Sequence, residues 1–453
     1  MRESYKRTSA REVAFKALGL YRRDNAWSEL ALNALLGNAG LSKRDAALAT
    51  QILCGVLQNM ALCDYYAEHF STIELRKLEP RVLDILRLSI YQITFLSKVP
   101  NSAVVNEAVS LAKKYSNQSA AGYVNAVLRK AAVAAESGEL PEIAGDPMHQ
   151  LSIRYSHPDW LVREFCDILG RDGAKALLVA NNAEGAPVTA QVNTLLASTD
   201  EVLRLLRAEG VEASRHEWLK DCIEMRAMGN ITRLDAFERG LIYVQDVSAR
   251  LSVIAAEPKK GNYVIDGCAA PGGKSFTAAI AMEDTGRIDA CDIHDAKLRN
   301  LESGAARLHI RIIDTINRDA LTPSSEPSGT ADVVIADVPC SGFGVIRKKP
   351  EIRYKSRQDV AGLPERQKSM ISSLSSYVAP GGVLLYSTCS VLPCENEGVV
   401  RWFLGADSHF APEPFTLPGL GRVDGGMVTL WPHVHGTDGF FICKLRRDDR
   451  CAI

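Results

Sequence analysis

From Ser9 to about Ala132 the apolar residues recur at helical spacing, and the whole stretch is predicted to be helix. Ser9-Ala-Arg-Glu12 and Ser42-Lys-Arg-Asp45 set a hydroxyl three residues ahead of an acid, a capping signature that opens amphipathic runs. Pro80 suits a first helical turn, and Val82, Leu83, Leu86, Ile90 and Ile93 follow on one face. Asn101 to Tyr115 repeats the pattern, and Tyr123-Val-Asn-Ala-Val-Leu-Arg-Lys closes the block. No catalytic grouping occurs in it, so it reads as a scaffold or binding module. Its basic residues (Arg11, Arg44, Lys113, Lys114, Arg129, Lys130) could touch phosphates, although for any one of them a solvated surface charge is the better reading.

Periodicity is lost over 133–149, which reads as a linker. Beyond it, Ser156 or His157 is expected to start a helix with Pro158 near its first turn, and His157 reads as a cap or packing residue. Val188 to Val192 and Cys222 to Met225 are strand-like, with a helix from Thr199 to Glu209 between them: a small α+β module. From Leu241 strands and helices alternate. Tyr263 to Ile265 is a short buried strand, Gly267 to Gly273 a turn too glycine-rich for helix, and Phe276 to Met282 a helix. Further strands are expected at Asp289 to Ile293, Ile312 to Ile316, Val333 to Ala336 and Gly382 to Tyr386, with Phe440 to Leu445 closing the sheet. A helix is expected over Lys297 to Leu308.

Strand, glycine-rich turn, helix, then a strand ending in the acid Asp292 is the layout of a doubly wound nucleotide-type site. Gly273-Lys274-Ser275 resembles the end of a phosphate-binding Walker loop, but the glycine such a loop needs would fall on Cys268. The dinucleotide spacing G-x-G-x-x-G is also absent. An adenosyl ligand without a pyrophosphate remains, and S-adenosylmethionine is the expected cofactor. The turn Cys268, Ala269, Ala270, Pro271, Gly272, Gly273 and Lys274 would line it, with the carboxylate of Asp292 on a ribose diol. Asp266, Asp292, Asp319, Asp337 and Cys389 all fall at carboxyl ends of predicted strands, where such sheets bind ligands.

Asp337-Val-Pro-Cys340-Ser-Gly and Ser387-Thr-Cys389-Ser follow neighbouring strands. A cysteine at a strand-to-helix turn, beside helix N-terminal amides, is expected to have a lowered pKa and act as a thiolate. A thiol suits one reaction in particular. C5 of cytosine is too weak a nucleophile to take a methyl group, but thiolate addition at C6 makes the ring enamine-like. An acid near N3, for which Asp337 is placed, would offset the developing charge, and a base would then remove the C5 proton. Between the cysteines, Arg347-Lys-Lys-Pro-Glu-Ile-Arg353-Tyr-Lys-Ser-Arg357 is a dense phosphate-binding candidate. Reaching ring atoms requires an unstacked base, so single-stranded or flipped RNA is the expected substrate.

Composition narrows the class without changing it. The 453 residues suggest about three domains. With 53 basic and 54 acidic residues the formal net charge is −1, so any nucleic-acid binding must come from local patches. The eleven cysteines form no C-x-x-C pair and no zinc spacing, so reduced thiols and no metal are expected. The polar start Met1-Arg-Glu-Ser-Tyr-Lys-Arg and the lack of a membrane-length apolar window predict a cytoplasmic protein with no membrane association.

Together Val264-Ile-Asp-Gly-Cys-Ala-Ala-Pro-Gly-Gly-Lys274, Cys291-Asp-Ile, Ala336-Asp-Val-Pro-Cys-Ser-Gly342, Pro350-Glu-Ile-Arg, Ser387-Thr-Cys-Ser and Asp438-Gly-Phe-Phe resemble the Nol/Nop/Sun family of RNA cytosine-C5 methyltransferases. The Pro-Cys and Thr-Cys pair is highly specific to that family. The helical block with Tyr123-Val-Asn-Ala-Val-Leu-Arg resembles a NusB-type RNA-binding domain, found in members that act on small-subunit rRNA. The resemblance implies a multidomain chain with three parts: an all-α NusB-like N-terminal domain (1–140), a small α+β module (150–238) and a C-terminal α/β Rossmann-like S-adenosylmethionine-dependent methyltransferase domain (239–453). It implies a monomer that methylates a cytosine of unfolded or single-stranded 16S rRNA. It assigns Cys389 as nucleophile and Cys340 to product release, where spacing alone leaves the two open. It further puts Asp292 on the ribose, Asp319 at the adenine edge, and Lys274 near the target or the methionine end. Gln191 stands where the family carries arginine, and Phe343 where it carries a smaller residue, so substrate contacts there are expected to differ. The alternatives are a non-catalytic RNA-binding assembly factor and a tRNA cytosine-C5 methyltransferase.

Overall fold

A computed structural model of the chain describes residues 8–24, 28–183, 185–226, 229–322 and 328–449. The polar start at 1–7 and Cys451 lie outside the described residues. The chain divides into two compact units. The first takes in the chain to Asn182 together with Lys349–Tyr354, the second Ala183–Lys348 and the chain from Lys355.

The first unit is helical: α1 (Ala10–Asp24), α2 (Ser28–Ala39), α3 (Lys43–Gln58), α4 (Met60–Phe70), α5 (Pro80–Phe95), α6 (Asn101–Tyr115), α7 (Gln118–Ser137), α8 (Pro147–Tyr155) and α9 (Asp159–Asn181). Its core is built from the apolar faces read in the sequence, among them Val13, Ile52, Leu53, Val56, Ile85, Leu86, Val104, Val124 and Leu128. The capping signatures are realised in part. Ser42 accepts the Asp45 N–H at 3.1 Å and Ser9 accepts that of Glu12 at 3.2 Å. The Glu12 carboxylate does not complete its capping box, because Lys114 Nζ (3.0 Å) and the Tyr115 hydroxyl (2.5 Å) take it instead. Lys114 is therefore held by an acid, and Arg11 donates to Gln92 at 2.7 Å; Arg44, Lys113, Arg129 and Lys130 are exposed.

The segment Lys349–Tyr354 enters this unit carrying Arg353, which is fully buried. Among the described residues no carboxylate hydrogen-bonds its guanidinium. It donates instead to Gln58 O (2.9 Å), Tyr155 O (3.1 Å), Asn181 O (3.3 Å) and Asn182 Oδ1 (2.6 Å), while Nε reaches Pro350 O (3.0 Å). Gln58, Tyr155 and Asn181 are the last residues of α3, α8 and α9, so three helix C-termini converge on one cation. Terminal carbonyls lack intrahelical donors and carry the negative end of the helix dipole, so a guanidinium fork satisfies both needs. His157, next to this cluster, is buried and bonds Tyr155 O through Nδ1 at 2.7 Å. Burial and the Arg353 charge push its pKa well below the usual range, so it is a neutral packing residue, as its sequence context suggests. The helix after it starts at Asp159 with Pro158 as N-cap, while Ser156 closes α8 in a left-handed conformation.

The second unit begins with β1 (Val188–Val192), α10 (Thr199–Ala208), β2 (Glu212–Arg215), β3 (Cys222–Arg226), α11 (Asp235–Glu238) and β4 (Ile242–Val244). These strands form an antiparallel sheet in the order β2-β3-β1-β4. Helices α8 and α9 pack in the first unit, and the sheet lies in the second.

The main sheet follows: α12 (Val247–Ala256), β5 (Tyr263–Asp266), α13 (Gly273–Ala281), β6 (Arg287–Asp292), α14 (Asp295–Arg307), β7 (Ile313–Asn317), β8 (Ala331–Asp337), α15 (Arg357–Ala361), α16 (Leu363–Ser375), β9 (Val378–Thr388), α17 (Glu397–Ala406), β10 (Phe410–Pro412), β11 (Phe415–Leu417), β12 (Gly421–Val423), β13 (Met427–Leu430), α18 (Pro432–His435) and β14 (Phe440–Arg447). Its order is β10-β14-β9-β8-β5-β6-β7, parallel from β9 to β7, with β13 also on β14. Strand order reverses between β5 and β8, and sheets of this kind bind ligands in the crevice beyond the carboxyl ends of the strands at such a switch point. Phe440 to Leu445 does not close the sheet as an edge. The strand runs antiparallel beside β9, flanked by β10 and β13, which brings Asp438 to Phe440 to the carboxyl end of β9.

Candidate active site

The turn after β5 is tied to both neighbouring strands, Gly267 N–H to Ile335 O at 2.9 Å and Ala269 N–H to Cys291 O at 2.8 Å. Gly272 has φ +109°, and a Cβ there would fall 2.6 Å from the Phe276 ring and 2.9 Å from Leu301. This glycine is therefore required by the close packing of the turn on α13 and α14. Within the turn Ala269 is buried, Cys268 and Ala270 are half-buried and Pro271 is exposed. Helix α13 starts at Gly273, three residues before its predicted start.

Lys274, in the first turn of α13, crosses the crevice to β8. Its ammonium lies 2.6 Å from Asp337 Oδ2 and 5.2 Å from the centre of the Phe440 ring. Burial alone would lower the lysine pKa, but the Asp337 carboxylate outweighs it and holds the group above its usual value. The other oxygen of Asp337 accepts the Ser387 hydroxyl at 2.8 Å. Asp266 is buried at the end of β5. Ser275 Oγ donates to its Oδ2 at 2.7 Å, Oδ1 has no hydrogen-bond partner among the described residues, and burial pushes the carboxyl up to about 6. Asp292 ends β6, half-buried, accepting the His294 N–H at 3.0 Å; Asp319 follows β7, exposed, accepting the Leu321 N–H at 2.9 Å.

Cys340 and Cys389 stand on the loops leaving β8 and β9, both half-buried, with their sulfurs 3.3 Å apart. Gly344 N–H binds Cys389 O at 2.9 Å and Gly439 N–H binds Gly344 O at 2.8 Å. A Cβ at Gly344 would sit 1.9 Å from Gly439 O, so only glycine allows the loops this approach. The expected lowering of a thiol pKa by helix amides does not hold at Cys340. No α-helix follows it directly, and its thiol is pushed well up by the Cys389 sulfur and by burial.

The basic segment between the cysteines differs from the phosphate-binding surface expected of it. Arg353 is buried in the helical unit, and Lys355 Nζ donates to Ser341 O at 2.7 Å. Arg347 donates to Gly436 O at 3.1 Å. Lys348 bridges Asp246 and Asp438, 2.9 Å from the latter. Burial is outweighed at Asp246 by Lys348, which holds it at about 2, whereas burial and the Asp246 charge push Asp438 up to about 7. Sequence reasoning missed Gln245 and Asp246, which follow β4. Gln245 accepts the Thr277 hydroxyl at 2.8 Å, and Asp246 caps α12. An acid between a strand and an apolar helical run is the only signal they carry. Gln191 is fully buried, and Arg250 of α12 donates to its side chain at 2.9 Å. Phe343 is fully buried beneath the loops.

A family profile described as 16S rRNA methyltransferase RsmB/F matches residues 253–446. A NusB family profile matches 8–133, and a ferredoxin-like domain profile of the same methyltransferases matches 157–232. A probable ribosomal RNA small subunit methyltransferase B of Bacillus subtilis is 35% identical over 98% of this chain and 99% of its own length. The chain belongs to the RsmB/F family of 16S rRNA methyltransferases. A Synechocystis member is 32% identical over 97% of this chain and 99% of its own. The crystal structure of PH0851 has the fold of the whole RsmB/F chain, with TM-score 0.82, 26% identity and coverage of 99% and 100%. NSun6 from Pyrococcus horikoshii shares the fold over 64% of this chain and 98% of its own, with TM-score 0.58 at 21% identity. Among the described residues no single helix is long and apolar enough to cross a membrane.

Proposed function

We propose that this RsmB/F member methylates C5 of an unpaired cytosine in small-subunit rRNA, through a transient bond between Cys389 Sγ and ring C6. The observation that carries the reading is the pair of sulfurs 3.3 Å apart beside the Lys274–Asp337 ion pair. Thiolate addition at C6 pushes electrons toward N3 and O2, and the ion pair is the group suited to offset that charge. C5 then becomes the nucleophile. A base takes the C5 proton, the C5–C6 double bond reforms, and Cys389 leaves.

The Cys340 thiol fits the role of that base by a change in its surroundings. Before addition, the Cys389 sulfur holds its pKa well up. Once that sulfur is bonded to carbon, the neighbouring negative charge is gone and the Cys340 pKa falls. Cys340 becomes able to accept a proton at the stage when one must be removed.

S-adenosylmethionine fits the residues present, and when bound supplies an electrophilic methyl group. The unpartnered, buried Asp266 Oδ1 and the strand-end carboxylates Asp292 and Asp319 are acceptors suited to hydroxyl and amine donors of an adenosyl group. Cys268, Ala269, Ala270, Pro271, Gly272 and Gly273 would form the adjoining wall. NSun6, which shares the fold, was solved with SFG, an analogue of that cofactor.

The test is incubation with labelled S-adenosylmethionine and deproteinised small-subunit rRNA, followed by mapping of the modified base. Cys389→Ala is expected to abolish transfer, and Cys340→Ala to leave RNA attached to the protein. Transfer at the wild-type rate by Cys389→Ala would remove the nucleophile assignment. No transfer by the wild type would favour a non-catalytic role in ribosome assembly.

A further inference from the structure

One buried carboxylate lies behind both sulfur-bearing loops. Glu395 is 1% exposed, and the loop residues it binds flank the cysteines on either side. Its Oε2 accepts the Ser341 N–H at 2.8 Å and Gln367 Nε2 at 3.0 Å. The same Gln367 amide donates to Pro339 O at 3.0 Å, so the residues before and after Cys340 are both tied to this group. Its Oε1 accepts the hydroxyl of Ser390, the residue after Cys389, at 3.0 Å. Ser341 Oγ and Ser390 Oγ are 3.0 Å apart and join the loops directly, and the Tyr386 hydroxyl anchors Glu395 O at 2.6 Å. Among the described residues its donors, a backbone N–H, an amide and a hydroxyl, are all neutral and supply no counter-ion.

We propose that Glu395 is a positioning residue that sets the spacing of the Cys340 and Cys389 sulfurs, and thereby the release step of the reaction. It touches neither sulfur and acts through Ser341, Gln367 and Ser390. Ionised, it offers acceptors to donors on both loops and on α16, a task no apolar residue can do. The inference rests on the proposed function for its effect on turnover, but not for its effect on geometry.

The experiment therefore reads both. Diamide takes up two thiol hydrogens as it becomes the hydrazine, and joins thiols within reach as a disulfide. In the full-length wild type it is expected to link Cys340 to Cys389 rapidly, read by mass spectrometry of the peptides. Glu395→Ala is expected to slow that link by about tenfold or more, since displacements near 1 Å carry effects of up to about a hundredfold. In the methyl-transfer assay it is expected to lower kcat with KM for RNA unchanged and to accumulate protein–RNA adduct. Glu395→Gln keeps an acceptor for Ser341, while the Ser390 hydroxyl can rotate to accept, so it is expected to rescue both readouts. If Glu395→Ala fails to fold, Gln367→Ala and Ser390→Ala, which each remove one tie, are expected to show smaller changes in the same direction. Folded variants that cross-link and turn over like the wild type would overturn the proposal. Slow cross-linking in a protein whose wild type transfers no methyl group would uphold the geometry and overturn the proposed function alone.

Discussion

Replacing Arg353 by methionine tests the convergence of helix ends on one cation. Five neutral oxygens accept from four N–H bonds, Nη1 sharing its two among three of them, and at about 1.5 kcal/mol per N–H of a charged donor they contribute roughly 6 kcal/mol. Against that stands the cost of burying the charge. The guanidinium pKa falls from 12.5 to about 10 through burial, which corresponds to roughly 3 kcal/mol. The difference predicts a loss of about 3 kcal/mol for Arg353→Met, large against the usual ~5–15 kcal/mol of a domain. Arg353→Lys should recover less than half, because an ammonium cannot present the guanidinium's planar fork. Hydrogen exchange of full-length protein is the suitable assay, since two compact units need not unfold together. Amides of the first unit should lose protection, most at the ends of α3, α8 and α9, while β8 and β9 keep theirs. Exchange within about 0.5 kcal/mol of wild type at those helix ends would refute the reasoning.

Three further substitutions follow from the second unit. The folded chain holds the Asp266 proton up to about pH 6, above the 3.8 of an ordinary aspartate; it therefore binds more protons than the unfolded chain in that window, and stability falls as pH rises through it. Asp266→Asn should flatten that fall and add roughly 3 kcal/mol at pH 8, read by urea unfolding at pH 4 and 8; an unchanged pH slope would count against it. Gly344→Ala places a Cβ 1.9 Å from Gly439 O and should cost at least about a hundredfold in methyl transfer, with cofactor binding by calorimetry unchanged. Lys348→Met leaves Asp246 and Asp438 facing each other without their shared cation. It should destabilise by about 2–3 kcal/mol at pH 8 and less at pH 5, where one carboxylate can keep a proton; an equal loss at both would contradict the pairing.

The parts of the chain that were readable from sequence are those decided by local pattern. The helical block, the βαβ alternation, β1, β3 and α10, and the strand-end positions of Asp266, Asp292 and Asp337 follow from spacing and turn chemistry. What was not readable depends on long-range contact. Arg353 sits in a run of basic residues that looks like a phosphate-binding strip, and nothing local says that three helix ends will enclose it. Gln245, Asp246 and Asp438 acquire their partners only when β4 and β14 are brought to the crevice. The reversal of Phe440 to Leu445 beside β9 had no local signal either, because an apolar run is equally consistent with an edge or an inner strand. The high thiol pKa of Cys340 was missed for the same reason: it comes from a sulfur 49 residues away, not from its own turn.

That sulfur pair depends on register. In the parallel ladder of β8 and β9, Asp337 pairs with Ser387, so two loops leave the sheet side by side at the same level. Cys340 lies three residues beyond one partner and Cys389 two beyond the other, and their sulfurs meet where the loops cross. A slip of one residue would move a loop by about 3.3 Å along the strand and turn its side chains to the opposite face. The irregularity between Ala331 and Val333, where β9 advances five residues against two of β8, lies at the far end of the ladder. From Val333 to Asp337 the pairing is regular. The extra residues of β9 are therefore taken up at the other end of the ladder, while the end bearing Lys274, Asp337 and both thiols keeps one alignment. Glu395 acts after the ladder ends, where backbone pairing no longer holds the loops together.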